Sequence, residues 1–331
     1  MLAARLIKAG DLQVVEVPPP RPGPGEIVVT VSAAGICGTD RHLFRGEFPC
    51  TPPVTLGHEF SGVVTGLGDG VTDLPLGALV TCDPNIACGT CPQCLRGRVN
   101  LCQRLSAIGI HRDGGFAHQV AIPAHRAFAL PEGTDPEHAA LCEPLACCLH
   151  AIDKGAPIAG ERVTILGGGV IGLMVLQLAR LAGAETLLIT RTEEKRRFAE
   201  RLGATATAAT PQEAAAIWPT GADLTMECAG VPETVAASPR LTRNGGRIVV
   251  VGVLAQGAQV TIEPFDLLFR EIDMLHAFLN PFTQRRAADL IAAGRIDVAP
   301  LISRVIPLSQ AAEAITNPPL SGDIRVLVKP D

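Results

Sequence analysis

The sequence predicts an α/β protein of two domains, one a doubly wound parallel sheet and the other an irregular, mainly antiparallel β unit. Three observations carry this reading. At 331 residues the chain is long for a single core. Near its middle, residues 163–179 read VTILGGGVIGLMVLQLA, an unbroken apolar run, a glycine turn and a helix-like segment. Before it lie short strand-like runs punctuated by Pro and Gly, as in PRPGPGEIVVTVSAAGIC and GGFAHQVAIPAHRAFALP.

Composition narrows the class. A net charge of −5 provides no polycationic field, which argues against nucleic acid as the main partner. Eleven cysteines, an odd number, with no secretory apolar region after Met1, point to a reducing, cytoplasmic setting. Residues 163–179 are short for a membrane span, and three consecutive glycines break them early.

Taken in order, MLAARLIKAGDLQVVEV reads as short alternating strands. VTIL reads as a strand buried on both faces, followed by an amphipathic helix ending near Ala182 and a second strand, TLLIT. ADLTMECAG, GGRIVVVG and EIDMLHAF are later strands of one βαβ series, separated by the Ala-rich PQEAAAIW, so the nucleotide domain spans 151–280. NPFTQRRAADLIAAGRID is a helix stopped near Gly294, and the strands after it rejoin the first domain.

Cys88, Cys91, Cys94 and Cys102 stand at C-x2-C-x2-C-x7-C spacing. Four thiolates so close in sequence can close a tetrahedral shell around Zn2+ at about 2.3 Å per bond, leaving no position for substrate. This is a structural zinc site; a disulfide or unpaired core thiols are the plainer alternatives.

Gly167, Gly169, Val170, Ile171 and Gly172 form a G-x-G-x-x-G turn between strand and helix. Gly167 allows the turn, Gly169 lets the backbone approach a pyrophosphate, Gly172 lets helix and strand pack, and the helix amino terminus favours the phosphate charge. NAD-binding units usually place an acid about twenty residues further on, against the adenosine ribose. This chain has Arg191, with Thr192 and Arg196 nearby, which suits a 2′-phosphate and favours NADP over NAD. The plainer reading makes these arginines solvated charges.

Cys37 in AAGICGTDRH, His58 and Glu59 in LGHEFSG, and Glu143 in LCEPLA supply thiolate, imidazole and carboxylate, the ligand types of a catalytic zinc with an open position. Singly, each has an ordinary reading as a buried thiol, a structural histidine or a salt-bridge acid.

In this order, GICGTDRH, LGHEFSG, the four-cysteine lobe, CEPLA and GGGVIG resemble the zinc-dependent medium-chain dehydrogenase/reductase family over nearly the whole chain, in its polyol (sorbitol- and arabitol-type) branch. The resemblance implies a GroES-like catalytic domain over 1–150 and 281–331 and a Rossmann domain over 151–280. It implies two zinc ions per chain, the catalytic one held by Cys37 and His58, with Glu59 and Glu143 as the carboxylates whose shares in the shell stay open. Cys142 adjoins Glu143, so a one-residue slip would restore a thiolate ligand; the EPL motif favours Glu143.

The implied reaction transfers hydride between a polyol or other secondary alcohol and NAD(P). Zinc lets the alcohol lose its proton at far lower pH than in water. Thr39 then takes that proton by hydrogen bond, and His42 passes it to solvent. The plainer readings make Thr39 a turn residue and Asp40 or His42 a solvated neighbour. Leu279 stands where sorbitol dehydrogenases commonly carry a substrate-binding Arg, which argues against sorbitol itself. With no Tyr and only Trp218, an aromatic sugar platform is not expected; Phe44, Phe48 and Phe278 are candidates for the pocket wall.

Threonine or butanediol oxidation is an alternative within the family, and a homodimer or homotetramer is implied, with 271–278 as a candidate seam. A zinc-ribbon protein holding the dinucleotide as a sensor ligand is the alternative from another class. It would need no open metal site, so Cys37, His58, Glu59 and Glu143 discriminate against it.

Overall fold

Ten residues, Glu26–Gly35, form the central strand of the first of two units. Their sequence, EIVVTVSAAG, is β-branched and then small, which suits a strand covered on both faces. The computed structural model describes residues 1–331, divided into Met1–Ala146 with Asn280–Asp331, and Cys147–Leu279. In the first unit, Glu26–Gly35 pairs antiparallel with Glu59–Leu67, with Gln119–Pro123 and with Arg325–Lys329. Leu79–Cys82, Ala127–Ala129 and Ile302–Pro307 complete a seven-stranded sheet. The register sets Gly35 opposite Glu59 on one side and opposite Leu327 on the other.

Beneath this sheet Leu6, Ile27, Leu43, Leu56, Phe60, Ile108, Phe116 and Ile122 are fully buried. Each stabilises the unit by about 1.5–3 kcal/mol relative to exposure, before the entropy of ordering. The amino-terminal alternation forms a hairpin, Leu2–Lys8 with Asp11–Glu16. The carboxy-terminal part returns through the helix Gln284–Ala292, which ends ahead of a left-handed Gly294 (φ 61°). Buried Thr283 anchors that helix by donating to the Ala146 carbonyl at 2.7 Å.

The second unit is built on six parallel strands: Arg162–Leu166, Glu185–Ile189, Ala206–Ala208, Ala222–Glu227, Thr242–Val250 and Asp273–His276. Numbered in chain order, they lie side by side as 3-2-1-4-5-6, the doubly wound order of dinucleotide-binding sheets. The three-residue strand Ala206–Ala208 was not expected from the sequence; it is too short to carry a period. The helix after the glycine turn, Val170–Leu181, is buried at Val170 and throughout Gly172–Ala179, not on one face only. It is therefore an interior helix, and the expectation of an amphipathic one is corrected. No helix is long and apolar enough to cross a membrane.

Candidate active site

The sheet register of the first unit assembles the site. Cys37 follows the carboxyl end of Glu26–Gly35, and Glu59, directly after His58, opens the strand paired with it, so Cys37 and the His58–Glu59 pair meet at one sheet end. Ligand atoms of Cys37, His58 and Glu59 all lie within 4.8 Å of one another. Glu143 is buried in the first turn of the helix Cys142–Gly155 and is not one of the three. Neighbouring Cys142 is also buried, and burial pushes its thiol up to about 12.

Around the three ligands, polar atoms are held out of water. Asp40 is fully buried, which corrects its reading as a solvated neighbour. Its Oδ2 accepts the Cys37 N–H at 2.8 Å, fixing the start of the helix Gly38–Arg45. Its Oδ1 faces His58 Nδ1 at 3.5 Å, an ion-pair distance too long to be a good hydrogen bond. That turns Nδ1 to Asp40 and leaves Nε2 as the ring's ligand atom. Burial alone would lower the imidazole's pKa, but Asp40 and Cys37 outweigh it and hold His58 well above its usual value.

Glu59 Oε1 lies 3.3 Å from Arg325 Nη2, and a second guanidinium nitrogen donates to the Ile36 carbonyl. Burial raises the Glu59 carboxyl more than Arg325 and His58 lower it. Gly35 is required here by close approach, because a Cβ on it would sit 2.5 Å from Glu59 Oε2. Asp40 Oδ1, His58 Nδ1, Glu59 Oε2 and Arg325 Nε are buried with no hydrogen-bond partner. The orphaned Glu59 Oε2, beside a thiol and an imidazole, fits a cation, and that donor set suits zinc.

Thr39 and His42 lie on the helix that begins at this cluster. Thr39 Oγ1 is 3.6 Å from Cys37 Sγ. His42, one turn on and half-exposed, has Nδ1 2.6 Å from Glu47 Oε2, while Arg45 Nε donates to Glu47 Oε1 at 2.8 Å. Arg45 and then His42 hold the exposed Glu47 carboxyl down to about 2. Phe44 and Phe48 pack against the core of this unit, and Phe278 is exposed.

The four-cysteine lobe forms a separate cluster. Sulfur separations are 3.5 Å for Cys91–Cys94 and 4.0 Å for both Cys88–Cys94 and Cys91–Cys102. These are far beyond a disulfide bond. They match the edge of a tetrahedron with bonds of about 2.3 Å. Main-chain N–H groups of Cys91 and Arg104 donate to Cys88 and Cys102 sulfurs at 3.4 and 3.3 Å, which stabilises thiolate.

In the second unit, Gly167 is left-handed (φ 113°), and a Cβ on Gly172 would lie 1.9 Å from the Gly167 carbonyl oxygen. A Cβ on Gly169 would meet nothing within 4 Å, so the main chain there is open at the amino end of the helix, where Val170 and Ile171 begin the first turn. An anion can approach this turn. Arg191 and Thr192 are exposed after the second strand. Arg196 is turned inward: its Nη1 donates to the carbonyls of Thr190 and Arg191 at 2.8 and 2.9 Å, bracing the loop that displays Arg191.

Known proteins place this arrangement. The alcohol dehydrogenase GroES-like domain matches residues 23–132, and the zinc-binding dehydrogenase domain matches residues 170–293. The chain is 34% identical to a 2-dehydro-3-deoxy-L-galactonate 5-dehydrogenase of Pseudoalteromonas atlantica, over 96% of this chain and 95% of that one. It is 33% identical to sorbitol dehydrogenase of Gallus gallus, over 100% and 96%. A zinc-binding dehydrogenase structure from Sinorhizobium meliloti bound to NADP superposes with a TM-score of 0.97, at 55% identity and 99% coverage of both chains. The protein is an oxidoreductase of the zinc-dependent medium-chain dehydrogenase family, alongside its polyol dehydrogenases.

Proposed function

We propose that this dehydrogenase interconverts a polyol or other small secondary alcohol with its ketone, with NADP preferred over NAD. The observation that carries the reading is the grouping of Cys37, His58 and Glu59, with Glu59 Oε2 buried and without a hydrogen-bond partner. Cys37, His58 and Glu59 would hold the catalytic zinc directly, and Glu143 lies outside that set. Cys88, Cys91, Cys94 and Cys102 would hold a structural zinc. When bound, zinc lowers the pKa of an alcohol beside it, and the nicotinamide accepts the hydride.

This chain's own residues do the rest. Asp40 orients the His58 ring through Nδ1. Thr39 Oγ1 takes the alcohol proton by hydrogen bond, and half-exposed His42 carries it to solvent with Glu47 as its partner. Gly167, Gly169 and Gly172 hold the pyrophosphate at the helix amino terminus. Arg191 meets the 2′-phosphate, a role supported by its exposure, by Arg196 bracing its loop, and by NADP in the Sinorhizobium meliloti structure.

The protein would act in the cytoplasm as a homodimer or homotetramer, with the outermost strand of the parallel sheet, Asp273–His276, as the seam. The test is nicotinamide absorbance with pentitols, hexitols, their phosphates, butanediol and threonine, in wild type and Cys37→Ser. Turnover of a polyol lost in Cys37→Ser supports the reading. Turnover by metal-free Cys37→Ser protein refutes it.

A further inference from the structure

Glu227 ends the fourth strand of the parallel sheet, and none of its surface is exposed. One carboxylate oxygen, Oε1, accepts the N–H groups of Ala229 and Gly230, both at 2.9 Å, and lies 2.7 Å from the Thr234 hydroxyl. The other, Oε2, is buried without a partner. Glu227's main-chain carbonyl accepts the N–H groups of Val251 and Gly252, both at 2.9 Å, in the loop after the fifth strand. The next residue, Cys228, donates to the Leu166 carbonyl at 2.8 Å, at the end of the first strand.

Glycines close this knot from each neighbouring loop. A Cβ on Gly252 would sit 2.2 Å from Gly230 N and 2.8 Å from Glu227 Oε2, and one on Gly167 would sit 3.0 Å from Ala229 N. Three loops at the carboxyl ends of strands one, four and five thus meet at Glu227: its side chain bonds the loop after strand four, its main-chain carbonyl the loop after strand five, and the main chain of Cys228 the end of strand one. In a doubly wound sheet this is the ligand-binding edge, with one mononucleotide half on strands one to three and the other on strands four to six.

The two loops that Glu227 ties most directly, after strands four and five, belong to the second half. We infer that Glu227 is a positioning residue for the nicotinamide half of the dinucleotide, its carboxylate acting through the loop 228–230, against which Gly252 packs, and not by contact. This rests on the dinucleotide function proposed above. Without the carboxylate, the N–H groups of Ala229 and Gly230 lose their acceptor, so the loop that presents the second half is no longer held in one conformation. The adenosine half, built on the glycine turn and the loop at Arg191, keeps its own hydrogen bonds.

Equilibrium binding of NADPH and of adenosine 2′,5′-bisphosphate to the full-length protein tests this, with NADH and AMP as the pair lacking the 2′-phosphate. In Glu227→Ala the reduced dinucleotide should bind about tenfold more weakly, the effect of losing one or two hydrogen bonds, with the adenosine fragment within about twofold of wild type. Glu227→Gln, which keeps an acceptor oxygen, should restore dinucleotide binding.

Three results would overturn the inference: Glu227→Ala binding both ligands as wild type does, losing both in parallel, or being matched by Glu227→Gln. If wild type prefers the pair lacking the 2′-phosphate, the NADP reading fails, and the same comparison made with NADH and AMP still decides the role of Glu227.

Discussion

Arg325 and Glu59 form a buried ion pair, Nη2 to Oε1 at 3.3 Å, in which each side chain is at most 5% exposed. The strands that carry them flank Glu26–Gly35 on opposite sides, so the pair reaches across a residue with no side chain, Gly35. Removing one partner of such a pair leaves an uncompensated charge in the core, at a cost of about 3–5 kcal/mol. Arg325→Ala should therefore lower the thermal and urea midpoints of unfolding sharply, and Arg325→Lys much less. An Arg325→Ala protein that unfolds with wild-type midpoints would show that the pair contributes nothing to stability.

Metal content separates the two cysteine sites. Elemental analysis of the purified protein should find two zinc per chain. Cys37→Ser should retain the lobe's zinc and the wild-type melting temperature while losing turnover. Cys91→Ser should lose the lobe's zinc and melt earlier, because binding free energy at a closed four-thiolate site is folding free energy. Equal metal loss and equal destabilisation in both variants would contradict this division.

Coenzyme choice should follow Arg191. Steady-state kinetics with NADP and NAD in wild type and Arg191→Asp should show the ratio of kcat/KM values shifting toward NAD by roughly 10–100-fold, the effect of replacing a charge-assisted contact by a repulsion. An unchanged ratio would remove Arg191 from the phosphate site.

Acid stability of the second unit should depend on Glu161. Arg247 donates to both of its oxygens, at 2.6 and 3.1 Å, and these bonds hold its carboxyl below the ordinary 4.5. A depressed carboxyl stabilises the fold fully above its unfolded pKa, and the contribution is lost as pH falls through the lower folded value. At pH 7, Glu161→Gln should therefore be less stable than wild type by on the order of 1 kcal/mol, and the gap should close as pH falls below about 4.5. The lone tryptophan, Trp218, is buried in the same unit, so its fluorescence reports the transition. A gap that stays constant down to pH 3 would contradict the linkage.

What could be read from the sequence divides along physical lines. The cysteine lobe and the glycine turn were legible because their geometry is local: the clustered thiols and the open main-chain turn each come from one short run with fixed spacing. The doubly wound sheet was legible from strand-like runs at regular intervals, except Ala206–Ala208. The roles of Asp40, Arg325 and Glu227 were not, since a charged residue's burial is decided by partners elsewhere in the chain. Arg325 meets the Ile36 carbonyl across 289 positions. That Glu59 lies beside Cys37 was illegible for the same reason, because strand register and not spacing brings the two together.

The return of Arg325–Lys329 to the central strand has a consequence for biosynthesis. The ribosome makes Cys37, His58 and Glu59 early, but the guanidinium that neutralises Glu59 emerges only after the whole of Cys147–Leu279 has been translated. Until then Glu59 lacks its counter-charge and the central strand lacks the partner that pairs at Ala34 and Gly35, an open edge of the kind that templates wrong pairing. The second unit, continuous in sequence, is free to fold first, so the half of the enzyme that begins the chain is the half that is finished last.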